Sequence, residues 1–145
     1  MEKIRIKRLR AGAQIPTYGT ECSAGADLYA CLEDSVSIAP GQTVKIPTGL
    51  ALELPVGTAG LVFARSSLGT KRGLAPANKV GVIDSDYRGE LMVMLHNHGN
   101  EVQQITPGER VAQLLVVPVF TPGFAEAEEL SDTERGAGGF GSTGK

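Results

Sequence analysis

No apolar run in this sequence is long enough to span a membrane. The N-terminal MEKIRIKRLR alternates charge with hydrophobe where a secretory leader would carry an apolar centre. The expectation is a cytoplasmic protein with no membrane partner. Charge of one sign is also lacking: the formal net charge is -2. Such a balance provides no basic footprint for polymeric nucleic acid. A single nucleotide stays open, because a few well-placed cations can hold a triphosphate. Cysteine is scarce. Cys22 and Cys31 form no Cys-x-x-Cys and have no matching histidine pair, so neither a zinc site nor a disulfide framework is indicated and buried or idle thiols are expected. Helical periodicity is nearly absent as well.

What is present is a chain of 145 residues with 41% apolar and 21% charged residues, enough for one globular domain with a single core. Apolar and polar residues alternate at Ile4/Ile6, at Val44/Ile46, at Leu50/Leu52/Leu54, and where Met92/Met94 oppose Leu91/Val93/Leu95, which predicts strands. Turn signals separate them at short intervals, among them Pro40-Gly41, Pro55-Val56-Gly57 and Pro107-Gly108. The pattern predicts an all-β sandwich, jelly roll or barrel. Residues 110–120 (RVAQLLVVPVF) form the most continuous apolar stretch and suit a strand covered on both sides, with a subunit interface as one possible cover. Pro118 implies an edge near its end. After Thr121-Pro122-Gly123 the chain turns acidic and then glycine-rich, a composition with little means of burying itself. The division expected is therefore a β domain over residues 1–122 and a C-terminal arm over 123–145.

Several segments could carry chemistry. FARSSLG (63–69) follows an apolar strand with Arg65, Ser66 and Ser67, then one possible helical turn. Backbone amides, two hydroxyls and a guanidinium fork make a phosphate cradle, while a capping serine beside a surface arginine is the plainer alternative. GVIDSDYRGEL (81–91) puts Asp84 at the tip of an expected hairpin before Tyr87 and Gly89. A carboxylate there can deprotonate a water, and Asp84 with Asp86 could pair on a metal; simple turn formation explains the same residues. The tail's Gly139-x-x-x-x-Gly144-Lys145 superficially matches a Walker A loop, but no buried strand precedes it and no helix follows. Its glycines would still let amides approach an anion, with Arg135, Ser142 and Thr143 as donors and Phe140 able to stack on a base. His96 and His98 share one strand face, yet a metal would need further ligands. Asp27, within AGADLYA, suits either a turn cap or an orienter of metal-bound water.

Taken in order, AGADLYA, ARSSLG, GVIDSDYRGEL, GERVAQLLV (108–116) and RGAGGFGSTG (135–144) resemble the sequence motifs of the trimeric dUTPase family. The resemblance runs nearly the length of the chain. It implies a β jelly roll with a glycine-rich arm, assembled as a homotrimer whose active sites draw on all three subunits. By the same resemblance the reaction would be hydrolysis of dUTP to dUMP and pyrophosphate with Mg2+, which limits uracil incorporation into DNA and supplies dUMP for dTMP synthesis. Arg65, Ser66, Ser67 and Gln113 would contact the phosphates. Asn78 and the stretch with Gly81, Val82, Ile83 and Met92 would read uracil, and Tyr87 would pack under the deoxyribose and exclude a 2′-hydroxyl. Asp84 would hold the attacking water as general base, and Asp27 would reach the metal through water. The arm would close from another subunit, bringing Arg135, Phe140, Gly141, Ser142 and Thr143. One departure is Ser67, where that family usually has glycine. Arg-Ser-Ser is reminiscent of the related dCTP deaminases, but Glu90-Leu91-Met92-Val93 lacks their catalytic glutamate setting. A non-catalytic nucleotide-binding trimer is the third alternative.

Overall fold

The computed structural model describes residues 3–139. Its strands are β1 (Arg5–Arg8), β2 (Thr17–Tyr18), β3 (Ala26–Tyr29), β4 (Val36–Ile38), β5 (Thr43–Pro47), β6 (Leu50–Glu53) and β7 (Thr58–Phe63). A single short helix, α1 (Ser66–Arg72), separates these from β8 (Leu74–Pro76), β9 (Gly81–Ile83), β10 (Met92–Asn97), β11 (Gln103–Ile105) and β12 (Arg110–Pro118). Pairing is antiparallel throughout: the five-stranded sheet runs β2-β3-β12-β7-β9, a three-stranded sheet runs β5-β10-β8, and β1-β6 and β4-β11 form two-stranded ladders. The result is the all-β, jelly-roll-like architecture that the alternation implied. Among the described residues no helix is long and apolar enough to cross a membrane.

The alternation works as a sorting device. In β10, Val93 and Leu95 point into the core while Met94 is exposed, as a period of two requires. They meet Leu28, Ile38, Ile46 and Leu114 in one apolar cluster. Truncating a fully buried leucine such as Leu95 to alanine would cost ~2–5 kcal/mol. Asn97 follows the same inward parity and is fully buried; its amide donates to the carbonyls of Ile38 (2.9 Å) and Glu101 (2.8 Å) and accepts from the Gly99 amide (2.9 Å). No polar atom of it is left unpaired. In β6 the alternation breaks down, because Leu50, Ala51 and Leu52 are all buried.

Strand β12 changes neighbours along its length. The strand is central over part of its length only: β3 covers Arg110 to Leu114, and β7 covers Gln113 to Pro118. Pro118 therefore sits where β12 has one neighbour, which suits a residue with no amide to donate. Leu115, Val116 and Val117 are half-buried within the single chain.

The hairpin expected over residues 81–92 is not formed. β9 pairs with β7, whereas β10 pairs with β5 and β8, so the intervening segment crosses between two sheets. Its turn is closed by the Tyr87 amide donating to the Asp84 carbonyl at 3.1 Å. Turn residues reverse the chain locally but do not dictate which strand becomes the partner. Beyond Pro118 the described chain forms neither strand nor helix, and residues 118–137 are exposed. The thiols are not buried either: Cys22 is exposed and Cys31 half-buried.

Candidate functional site

The register of the large sheet places Gln113 of β12 between Asp27 of β3 and Phe63 of β7. Its amide donates to the Ala64 carbonyl at 2.9 Å, just where β7 ends and the chain turns into α1. Room for this side chain comes from Gly25: a Cβ there would lie 2.6 Å from the Gln113 Oε1. Immediately after Ala64, Arg65 takes an extended conformation at the N-cap, and no side chain caps the helix. The capping alternative for Ser66 and Ser67 thus fails. Both serines stand exposed in the first turn, while Leu68 is the one helix residue buried in the core.

Asp27 organises the charge here. Its Oδ1 accepts from Arg65 Nε at 2.7 Å and its Oδ2 from Arg110 Nη1 at 3.3 Å, so one carboxylate holds two guanidinium groups. Arg65 and Asp27 are both mostly buried. Behind them Arg72 anchors the helix end to the β11–β12 region, forming an ion pair with Glu109 and donating to Gln103 Oε1 at 3.0 Å. Arg65, Arg72, Glu109 and Arg110, with Ser67, Leu68 and Lys71, line an open groove of ≈ 300 Å³. The lining sets four cations (Arg65, Lys71, Arg72, Arg110) against one carboxylate (Glu109), and even counting Asp27, which pairs with Arg65 and Arg110, net positive charge remains, suited to a polyanion. Sequence reasoning missed Lys71, Arg72, Glu109 and Arg110. Ser67 and Lys71 are spaced to share a helix face, a signal that needed the helix to be known first.

A second cavity, ≈ 210 Å³, is lined by Val82, Ile83, Asp84, Tyr87, Glu90, Leu91 and Met92. The structure thereby brings together the base-reading and sugar-reading residues expected from sequence, with Gly81 at the start of β9 and Asn78 in the turn before it. The Tyr87 hydroxyl donates to the Glu90 carbonyl at 3.0 Å, and its ring covers Gly89, where a Cβ would lie 2.4 Å from the phenolic oxygen. Asp84 is exposed at the cavity mouth. Glu90 was not anticipated: Arg10 grips its carboxylate with both Nε (2.7 Å) and Nη2 (2.9 Å), and the Gly49 amide adds a third donor at 2.9 Å. Those hydrogen bonds, opposed in part by burial, hold the Glu90 carboxyl below the usual carboxylate range.

The two cavities share no lining residue. One chain thus brings Arg65, Ser66, Ser67, Gln113 and Asp27 to one place and Asp84, Tyr87 and Met92 to another. Arg135 belongs to neither; it closes a local turn by donating to the Gly138 carbonyl at 3.1 Å. Phe140, Gly141, Ser142 and Thr143 lie outside the described residues. The His96 and His98 rings do meet, centroids 4.4 Å apart, but Thr43 and Lys79 engage their nitrogens. Among the described residues no three His, Cys, Asp or Glu side chains converge as a metal cage, so Asp84 and Asp86 have no third such ligand beside them. A divalent cation fits only if a ligand's own oxygens supply most of its coordination.

Comparison with known proteins gives a consistent picture. The dUTPase family model matches residues 11–144. The chain is 52% identical over 143 residues to the deoxyuridine 5'-triphosphate nucleotidohydrolase of Desulfitobacterium hafniense, covering 98% of this chain and 95% of that one. It is 50% identical over 143 residues to the protein of the same name from Hahella chejuensis, with 98% and 94% coverage. Among solved structures it resembles a Staphylococcus bacteriophage 80alpha dUTPase with dUpNHpp, at a TM-score of 0.92, 28% identity and full coverage of both chains. The fold also matches a dUTPase from phage phi11 of S. aureus described with a structural Mg(II) ion, at a TM-score of 0.82 and 24% identity, covering 90% of this chain and 100% of that one.

Proposed function

This chain belongs to the dUTPase family, and from that premise we infer that it hydrolyses dUTP to dUMP and pyrophosphate, using a site assembled from the two cavities of different subunits. The observation that carries the reading is the division of labour between them: a cationic groove suited to a triphosphate, and a carboxylate-bearing pocket floored by an aromatic ring. Neither is a complete active site, which supports a homotrimer in which one subunit's groove faces another's pocket.

In this mechanism Arg65, Ser66, Ser67 and Gln113 hold the phosphate chain, with Asp27 fixing the Arg65 guanidinium so that little ordering remains to be done on binding. Asn78, Gly81, Val82, Ile83 and Met92 border the base, and Tyr87 packs against the deoxyribose. Asp84 orients a water and takes its proton as the oxygen attacks the α-phosphorus; the bond to the bridging oxygen breaks and pyrophosphate leaves. Asp27 is the residue that would hold a magnesium ion, through water, and the ion would supply positive charge against the pyrophosphate leaving group. Residues 123–145 close over the site from a further subunit, with Arg135, Ser142 and Thr143 on the phosphates and Phe140 and Gly141 against the base. A free-nucleotide substrate accords with a cytoplasmic enzyme that keeps uracil out of DNA and provides dUMP.

The test is incubation with Mg2+ and either dUTP or dCTP, separating nucleotides and assaying pyrophosphate and ammonia independently. dUMP and pyrophosphate from dUTP alone are expected. Ammonia from dCTP, or binding without product, would overturn the reading.

A further inference from the structure

Tyr87 is 45% exposed, so packing alone does not fix its ring. Its position depends on two neighbours along the chain. Gly89 provides the bare backbone that the ring lies over, and the Glu90 carbonyl accepts the phenolic proton at 3.0 Å. The Glu90 backbone is in turn held by its own side chain, which accepts both prongs of Arg10 and the Gly49 amide. Gly49 is a rigid support: its φ is +71°, and a Cβ there would lie 2.8 Å from the Ala13 Cβ. On the other side of Glu90, the Leu91 amide donates to the Leu50 carbonyl at 2.7 Å, and the Leu91 carbonyl accepts from the Thr48 hydroxyl at 2.7 Å.

We infer that Arg10 and Glu90 are positioning residues for Tyr87, and that the ion pair between them sets how strictly the pocket refuses a ribose 2′-hydroxyl. The inference rests on the dUTP-hydrolysis reading. A bidentate arginine–carboxylate pair fixes direction as well as distance. Arg10 lies 80 residues from Glu90 and itself lines neither cavity, so its effect reaches the pocket only through Glu90, whose carbonyl holds the tyrosine hydroxyl. With the pair broken, the segment following Asp84 gains freedom, the ring no longer holds one position, and a 2′-hydroxyl meets a softer wall.

The experiment compares kcat/KM for dUTP and UTP in the wild type, Arg10→Ala, Glu90→Gln and the double variant. Ile38→Val in β4 serves as a control that lowers stability without touching either cavity. The expected result is a roughly fivefold rise in the UTP/dUTP ratio for each single variant, the scale of a partly exposed ion pair. The double variant should be no worse than the worse single one, because both remove one interaction. Arg10→Lys, which keeps charge but loses the fork, should fall between, and Ile38→Val should leave the ratio unchanged. An unchanged ratio in Arg10→Ala, with wild type hydrolysing dUTP and rejecting UTP, overturns this inference alone. A ratio shifted equally in Ile38→Val overturns it too, since general loosening would then explain the effect. Wild type inert toward dUTP overturns this inference together with the function beneath it.

Discussion

Arg65 and Asp27, 38 residues apart in sequence and on either side of β12, are joined by a 2.7 Å hydrogen bond, with Arg110 on the carboxylate's other oxygen. Asp27→Asn keeps the shape but leaves two guanidinium groups without their counter-charge. The expected outcome is a loss of about 1.5–3 kcal/mol of stability, the range for hydrogen bonds to charged groups, read from the denaturation midpoint. KM for dUTP should rise as Arg65 loses its fixed direction.

Asp84 touches no residue that needs it structurally beyond its backbone turn, so its side chain can be changed cleanly. Asp84→Asn should cut kcat by roughly 10²- to 10⁴-fold, the usual scale of a lost general base. Binding of a non-hydrolysable dUTP analogue, measured by calorimetry, should be nearly unaffected. Undiminished turnover would remove Asp84 from the mechanism.

Gly25 leaves room for Gln113 to reach the Ala64 carbonyl. Gly25→Ala would put a methyl 2.6 Å from the Gln113 Oε1, and the flexible amide would swing away. Steady-state kinetics should show a higher KM for dUTP, with a smaller proportional change in melting temperature. A large loss of stability with normal KM would mean that Gln113 serves the fold alone.

Acid sensitivity follows from Glu90, whose folded carboxyl titrates below its usual range chiefly because of the hydrogen bonds from Arg10. An unfolded glutamate titrates near pH 4.3, roughly. The contribution is whole above that pH and is lost as pH falls through the lower folded value. Denaturant midpoints followed downward from neutral pH should therefore drop less steeply in Arg10→Ala than in wild type. Glu53, held low by Arg5, acts in the same sense and remains in both proteins.

Local pattern made the strands legible where one face met the core: β10 was readable from Val93 and Leu95 alternating with Met92 and Met94. Two-residue and three-residue strands such as β2 and β9 were not, since they are too short to display a period and exist only through their partners. The same limit explains the hairpin that did not form: Asp84 and Gly89 announce a turn, but pairing β9 with β7 is a decision of the whole sheet. At the site, residue types pointed to Arg65, Asp84 and Tyr87. The ties that fix them, Arg65 to Asp27 and Arg10 to Glu90, join distant parts of the chain and leave no mark on local sequence.

The central claim, that catalysis needs the groove of one subunit against the pocket of another, is tested most directly by mixing two inactive variants. Arg65→Ala spoils only the groove and Asp84→Asn only the pocket. Unfolded together in equal amounts and refolded, random trimers would pair an intact groove with an intact pocket at about one site in four. The account predicts recovery of about a quarter of wild-type dUTP hydrolysis. A mixture no more active than its parents would contradict it and return the whole site to a single chain.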